Sequence, residues 1–586
     1  MFGLRPLALI GWVLLLFPAV LPALTTAGAH GDGKPALRCH PDQAVSLLQL
    51  KKSFSFFRYP NPLESWQDDT DCCLWEGVGC SNSSGHVTAL ELSGRGLYSQ
   101  GLNPAIFNLT SLQRLDLSMN SFGGYSFPAS GFERLSLLTH LNLSNSGFQS
   151  QIPMGIGKLV NLISLDLSYY YFAPREDSGD GGYTSADSVS ALASWPWLLD
   201  SDFQILVIVA NLTNLRELYF DGLDISRSLD WCRTLANALP ALQVLSLGDC
   251  SLNSPICSSL STLHSLTVIN LQDNFYGSSA PFPEFFMDFL NLSVLNLANT
   301  NLQGWFPRRT FQSKTLRVLD LSGNQNLSGH VPNFSNASSL EAMMLDGTKF
   351  SFANLGSYTN FKYLKTLRLD VNSFPEEPQS SLGILRSVQH LELSQMYYTR
   401  YSGPILSSIF SQTSVAKLKS LRSLTLTSCN DIGPALFGPI PTSIGNLMNL
   451  RSLFIWDAYN DIGPIPSTIG NLSNLESFEV DGSDFSGPIP REVGLIKKLK
   501  LLRIQMCSFS GSIPNSISNL TRLVELDLSS NAFNGYEVTI SGKQDVTKRK
   551  SISRNAIFGQ PNKGELASPM MPGRNCQQSN KLHNVD

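Results

Sequence analysis

Apolar positions recur along the chain in a single phase. The unit LxxLxLxxNxL begins at residues 87, 112, 138, 162, 215, 242, 266, 292, 316, 340, 364, 388, 421, 450, 475, 499 and 523. Most steps measure 24 to 27 residues, and steps of 53, 33 and 29 after residues 162, 388 and 421 mark insertions. Good copies are Leu112-Gln-Arg-Leu115-Asp-Leu117-Ser-Met-Asn120 and Leu523-Val-Glu-Leu526-Asp-Leu528-Ser-Ser-Asn531. Alternation in the LxL core predicts a short strand with leucines on one face and the intervening residues on the other. One repeat cannot bury its own leucines, so the units must stack into a parallel sheet with a continuous core. The pattern therefore predicts an α/β solenoid of seventeen leucine-rich repeats over 87–535, with a parallel concave β-sheet and a convex side of helical, 3-10 and loop segments.

The ninth position of the unit turns the chain. An asparagine there, as at Asn120, Asn274, Asn324, Asn372 and Asn531, offers a donor and an acceptor to buried backbone groups. Cys250, Cys429 and Cys507 share that phase and read as buried structural thiols. Cys232 and Cys257 fall at offsets 17 and 15 of consecutive repeats, a spacing that fits a disulfide. Cys39, Cys72, Cys73 and Cys80 precede the first repeat, where the apolar edge must be covered, and fit two bonds, Cys39 to Cys72 and Cys73 to Cys80; Cys576 is left over. Residues 40–58 read as an amphipathic helix with Ala44, Leu47, Leu48 and Lys51 in phase, lying on the first repeat.

Composition narrows the class. Leucine numbers 90 residues, about 15% of the chain, whereas the charged residues together reach only 15%. A net charge of -4 leaves no basic surface for nucleic acid. The ten cysteines include no CxxC pair, so neither a zinc ribbon nor a thioredoxin-type site is expected and no metal is assigned. The sequence holds no GxSxG elbow, HExxH, HRD or DFG, and no glycine-rich phosphate loop paired with a kinase lysine. Noncovalent binding, without enzymatic activity or cofactor, is the expectation. His140 and His390 fall on outward strand positions but have no catalytic partner in view.

Residues 1–29, with Arg5, an apolar run from Leu7 to Leu24 and the site Ala27-Gly-Ala29, read as a secretory signal peptide. Residues 30–86 form the expected N-terminal cap, an insertion is expected at about 172–210, and 536–586 reads as a disordered tail. Secretion makes ten N-x-Ser/Thr sequons usable. They are Asn82, Asn108, Asn142, Asn211 and Asn291, followed by Asn326, Asn333, Asn336, Asn471 and Asn519. Asn108, Asn211, Asn471 and Asn519 each lie four residues before a strand's first leucine, whereas Asn142 belongs to a strand and points into the concave face.

Ligand contacts are sought among the outward strand positions, most of which carry small polar residues. Phe454 and Trp456, then Glu479 and Asp481, then Arg503 and Gln505 stand out on three successive strands, because exposed aromatics and arginine dominate binding hot spots. Tyr219, Met344, Arg368, Asp370 and Glu392 extend the candidates toward the N-terminus.

The assembly Cys39-His-Pro-Asp, Leu63-Glu-Ser-Trp66 and Asp71-Cys-Cys-Leu-Trp75-Glu-Gly-Val-Gly-Cys80 resembles the plant-type leucine-rich-repeat N-terminal domain. The segments Gly438-Pro-Ile-Pro441, Gly463-Pro-Ile-Pro466, Gly487-Pro-Ile-Pro490 and Gly511-Ser-Ile-Pro514 are similar to the plant-specific repeat subclass, where that segment forms a second, convex-side strand. With the insertion after Leu167, Asp230-Trp-Cys232 and Gly304-Trp-Phe-Pro307, the chain resembles plant receptor-like proteins that recognise fungal or other microbial molecules. The resemblance implies an extracellular peptide, protein or glycan ligand and signalling through partner receptor kinases. Such relatives carry an island domain, further repeats, a membrane helix and a short cytoplasmic tail. This sequence departs from that plan after Gly535. A truncated, apoplastic product with a fraying last repeat is thus the expectation, with the plasma membrane the place of anchored relatives. A polygalacturonase-inhibitor-like defence protein and a developmental peptide receptor are the alternatives that share the repeat.

Overall fold

The computed structural model describes residues 38–534 except 57–60, 123–127, 149–151, 170–201, 275–278, 308–312, 331–338, 352–361, 372–385, 396–406, 408–409, 412–414, 416–417, 429–438, 458–462 and 483–484. The signal peptide, most of the long insertion, the tail, Asn333, Asn336, Asn372, Cys429 and Cys576 lie outside the described residues. The remainder divides at Asn301/Leu302 into two bodies, each a stack of leucine-rich repeats.

In the N-terminal body, eight described strands run parallel at 87–91, 114–116, 140–142, 164–166, 217–219, 244–246, 268–270 and 294–296. Their core residues are in register: Leu90 faces Leu115, which faces Leu141, then Leu165, Leu218, Leu245, Ile269 and Leu295. All of these are buried. The 53-residue step leaves the ladder unbroken, since Leu165 still pairs with Leu218. The described end of that insertion is a helix, Asp202–Val209. It buries Leu206, Ile208 and Val209 and passes against Gly157 in the neighbouring 3-10 helix Met154–Lys158.

The C-terminal body repeats the arrangement with nine described strands at 318–320, 342–344, 366–370, 390–395, 423–428, 452–457, 477–481, 501–505 and 525–527. Their inward row runs Leu319, Met343, Leu367, Leu391, Leu424, Leu453, Phe478, Leu502 and Leu526, buried throughout except at Leu526 on the last strand, which is only partly covered. Every expected repeat has its strand. In all but the first, the strand opens two residues after the leading leucine.

The asparagine positions act as the unit requires. Asn120, for example, donates through Nδ2 to the carbonyls of Leu92, Leu117 and Ser118 and accepts from the Leu97 N–H. Cys250 replaces one such asparagine and donates its thiol to Phe220 O and Gly248 O. Burial pushes that thiol well above its ordinary pKa, which suits a structural group rather than a nucleophile.

The cap helix spans Pro41–Ser53, shorter than the 40–58 expected, and its buried stripe is Gln43, Ser46, Leu47 and Leu50, with Ala44 and Leu48 only partly covered. Two polar residues enter the stripe because they are satisfied there. Gln43 Oε1 accepts from the Val87 N–H at the start of the first repeat strand, and Ser46 Oγ donates to Asp42 O. The helix stops where Ser55–Phe56 turns to pair antiparallel with Leu97–Tyr98. Disulfides join Cys39 to Cys72, Cys73 to Cys80 and Cys232 to Cys257, with Cα separations of 5.4, 5.5 and 5.9 Å.

A second set of strands lies outside the main sheet, although not where the Gly-x-Ile-Pro segments were expected to form it. Strands Ser486–Gly487 and Ser508–Gly511 end on the motif glycine. After Gly487 the Pro488-Ile-Pro490 leaves the ladder, since proline has no N–H to give it, and after Gly511 the Ser512-Ile-Pro514 leaves it too. The isoleucines of the Pro-Ile-Pro copies are buried instead (Ile440, Ile465, Ile489), and the last proline caps a 3-10 helix, as at Pro490 before Arg491–Leu495. Gly487 closes the strand at φ +83°, which a side chain resists.

Successive 3-10 helices, Thr442–Asn446, Ser467–Asn471, Arg491–Leu495 and Asn515–Asn519, stack so closely that glycine is required at their contacts. A Cβ on Gly470 would stand 2.6 Å from the Glu492 carbonyl oxygen. Gly470→Ala is therefore expected to cost about 1–3 kcal/mol through overpacking against backbone that cannot yield. Denaturant unfolding measures it, and a neutral result would show that the stack can open at no cost. Among the described residues no helix is long and apolar enough to cross a membrane.

Candidate functional site

Strand alternation places two rows of side chains on the face of the C-terminal body opposite its leucines. One row runs Asp320, Met344, Arg368, Glu392, Thr425, Phe454, Glu479, Arg503 and Asp527 in register. The other runs Asp370, Ser394, Thr427, Trp456, Asp481 and Gln505. Ten of the eleven candidate contacts thus share one face, whereas Tyr219 belongs to the N-terminal body, in register between Asp166 and Ser246.

The candidates fall into two clusters separated by Ser394, Thr425 and Thr427. In the first, the Arg368 guanidinium lies 2.6 Å from Asp346 Oδ2 and 3.3 Å from Glu392 Oε2. Burial alone would depress the pKa of Arg368, but Asp346, Glu392 and Asp320 outweigh it and hold the group above its ordinary value. Burial pushes the Asp346 carboxyl up to about 6 against the pull of Arg368, and raises Asp320 as well. Met344 and Asp370, expected to be free, are 3% and 1% exposed. Met344 is enclosed between Asp320 and Arg368 in the ladder, and the Arg368 side chain reaches back to Asp346, two residues beyond it.

In the second cluster Arg503 bridges Glu479 at 2.8 Å and Glu525 at 2.5 Å. Gln505 Nε2 donates to Asp481 Oδ2 at 2.8 Å. Asp481 and Gln505 are 5% and 8% exposed, so they too are covered rather than free. The cause is lateral: side chains one strand spacing apart, about 4.8 Å, shield one another when they bond. Trp456 adds to the cover by bringing its indole Nε1 to within 2.9 Å of where a Cβ on Gly482 would stand. Burial raises the Asp481 pKa, opposed by the Gln505 bond and by Arg503. Phe454, Trp456, Glu479 and Arg503 remain partly open to solvent.

In the N-terminal body the corresponding row runs Glu91, Asp116, Asn142, Asp166, Tyr219, Ser246, Asn270 and Asn296. Burial, then Glu217, Asp166 and Asp221, raise the Tyr219 phenol above its ordinary pKa, and burial pushes the Asp166 carboxyl up to about 6. Asp221 organises this region, accepting from Ser246 Oγ at 2.8 Å, the Gly248 N–H at 2.7 Å and Asn270 Nδ2 at 3.1 Å. Sequence reasoning passed over Asp221, Asp346 and Glu525, although the repeat phase placed all three. Acidic residues are common on outward positions, and only a cross-strand partner distinguishes these. His140 and His390 are half-buried on their strands, each with its pKa lowered by burial and then by a neighbouring arginine, Arg114 or Arg422.

Of the sequons, Asn82, Asn108, Asn211, Asn291, Asn326, Asn471 and Asn519 are exposed. Asn142 is half-buried between Asp116 and Asp166, and its Oδ1 accepts from the Ser144 N–H and hydroxyl.

Family models match three stretches: a leucine rich repeat N-terminal domain at 40–81, a leucine rich repeat at 315–337 and a leucine-rich repeat region at 402–537. Receptor-like protein 6 of Arabidopsis thaliana is 29% identical over 349 residues, 56% of this chain and 28% of its own length. Receptor-like protein EIX1 of Solanum lycopersicum is 29% identical over 331 residues, covering 54% and 29%. Receptor-like protein Cf-9 of Solanum pimpinellifolium is 28% identical over 333 residues, covering 53% and 29%. The chain thus spans less than a third of the length of these relatives. Among solved structures, the Arabidopsis receptor kinase HAESA in complex with the peptide hormone IDA and the co-receptor SERK1 superposes with a TM-score of 0.49 at 25% identity, covering 84% of this chain and 78% of that one.

Proposed function

We propose, for a chain that is a leucine-rich-repeat protein homologous to the receptor-like proteins of plants, that it recognises an extracellular peptide, protein or glycan through the outward rows of its main sheet and serves in pathogen or elicitor perception. The observation that supports this most is the cluster on strands 452–457, 477–481, 501–505 and 525–527, where Phe454, Trp456, Glu479, Asp481, Arg503 and Glu525 meet on adjacent strands. Such a surface recognises by shape, charge and stacking and transfers no group. Signalling in this reading passes to partner receptor kinases, in line with the lack of kinase motifs in the sequence. The exposed sequons would carry glycans.

The reading is tested by capturing components of apoplastic and microbial extracts on the folded protein and on Trp456→Ala. Loss of at least about tenfold in capture is expected, as for a central aromatic contact, with the thermal midpoint close to that of the parent. Equal capture by both proteins would remove the cluster from the ligand site. Arg503→Ala is a poorer probe, because Glu479 and Glu525 would lose their common cation in a half-buried place and stability would fall with it.

A further inference from the structure

The second cluster holds one buried acceptor that no described residue serves. Asp481 is 95% buried, being 5% exposed. Its Oδ2 is bonded to Gln505, while its Oδ1 is buried with no hydrogen-bond partner among the described residues. A buried carboxylate oxygen without a donor is costly, and a folded protein keeps one where something else supplies the donor. Strand alternation sets Asp481 on the same outward face as Glu479, with Trp456 in register on the adjacent strand and its indole lying against Gly482, the residue after Asp481.

The charge around this point is one-sided. Glu479 and Asp481 on one strand and Glu525 and Asp527 on another flank the strand of Arg503, whose single guanidinium Glu479 and Glu525 already engage. Arg451 and Lys500, each one residue ahead of its strand, pair with Glu476. The strand on the other side of Trp456 contributes only the neutral Thr425 and Thr427 to the two rows. An indole beside a carboxylate with an acceptor that no described residue serves is a site for a cation. The carboxylate takes its hydrogen bond and charge, and the ring takes its apolar or planar part.

We propose that Trp456 and Asp481 form a subsite for a basic side chain, arginine or lysine, of the extracellular ligand. This deepens the recognition role proposed above and rests on it. The neighbouring acids would favour the same ligand by raising the local concentration of cations, and a ligand segment lacking a base would leave Asp481 unpaired, so the subsite selects as well as binds.

The experiment uses the full chain labelled with 5-fluorotryptophan, the Trp456 resonance being identified by its loss in Trp456→Phe. Acetyl-arginine methylamide is titrated as the probe and acetyl-citrulline methylamide, its neutral isostere, as the control. A saturable shift of the Trp456 signal by the arginine compound is expected, with the citrulline compound inert. In Asp481→Asn the arginine titration is expected to weaken by at least about tenfold, the loss of one charge-assisted hydrogen bond. Thermal stability in that variant should stay level or rise, since a buried charge has been removed without changing shape. Equal response to the two compounds, or an unchanged arginine titration in Asp481→Asn, overturns the subsite. Should Asp481→Asn fail to fold, Trp456→Leu reports on the same interaction through the binding isotherm by calorimetry. The wider reading is judged separately: if arginine fails to bind while Trp456→Ala still abolishes capture from extracts, the chemistry assigned to the subsite is wrong and the ligand face stands, whereas failure of both removes the face.

Discussion

Replacing Leu453 by alanine is expected to lower the unfolding free energy by about 2–5 kcal/mol, whereas Trp456→Ala, three residues along the same strand, should cost less than half as much. Leu453 is fully buried and in register between Leu424 and Phe478. Removing its isobutyl group opens a cavity inside a row of residues held by backbone hydrogen bonds on both sides, so the neighbours cannot collapse into it. Because each repeat is stabilised by the next, the damage should spread. Amide exchange in strands 423–428 and 477–481 should quicken along with that in 452–457. Trp456 faces outward and remains partly open to solvent, so its truncation removes surface and leaves no enclosed void. Denaturant unfolding of the two variants decides the matter, and equal losses would mean that the inward and outward faces have been wrongly assigned.

The second large effect is expected at Asn274, which is fully buried. Its Oδ1 accepts from the N–H groups of Cys250 and Leu252 at 3.0 and 3.1 Å. Its Nδ2 donates to the carbonyls of Leu247, Leu271 and Gln272 at 2.6, 3.0 and 3.2 Å. One side chain thus satisfies backbone groups of two repeats. Asn274→Ala leaves them buried and unpaired at about 1–3 kcal/mol for each group that water cannot reach, so a total of at least about 3 kcal/mol is expected. Asn274→Cys should fall between alanine and the parent, because a thiol at this phase, as at Cys250, donates to carbonyls but cannot serve the two N–H groups as well as an amide oxygen does. A loss under about 1 kcal/mol for the alanine variant would sink the claim that the asparagine ladder supports the turn.

Much of this protein was legible as text because a repeat writes its core many times over. The phase of the leucines located all seventeen strands, the ninth position located the asparagine contacts and their cysteine substitutes, and the offsets of Cys232 and Cys257 located a bonded pair. Where the repeat is not speaking, sequence reasoning went astray. The cap helix buries Gln43 and Ser46 rather than a purely apolar stripe, since Gln43 meets the Val87 N–H, a group 44 residues away. The Gly-x-Ile-Pro segments end strands instead of forming them, and where proline follows the glycine, as at Pro488, it withholds the donor that a ladder needs.

The outward face shows the division most clearly. Periodicity alone assigned Met344, Asp370, Asp481 and Gln505 to that face. Tertiary structure decided that all four are covered and that Arg368 and Arg503 are each held between carboxylates from neighbouring repeats. An inward position is determined by the sequence itself, since a leucine in that phase has one place to go, away from water. An outward position has several possible partners about 4.8 Å away on either side. Which of them it bonds depends on side-chain reach and charge across residues some 24 positions apart, and only the folded stack brings those residues together.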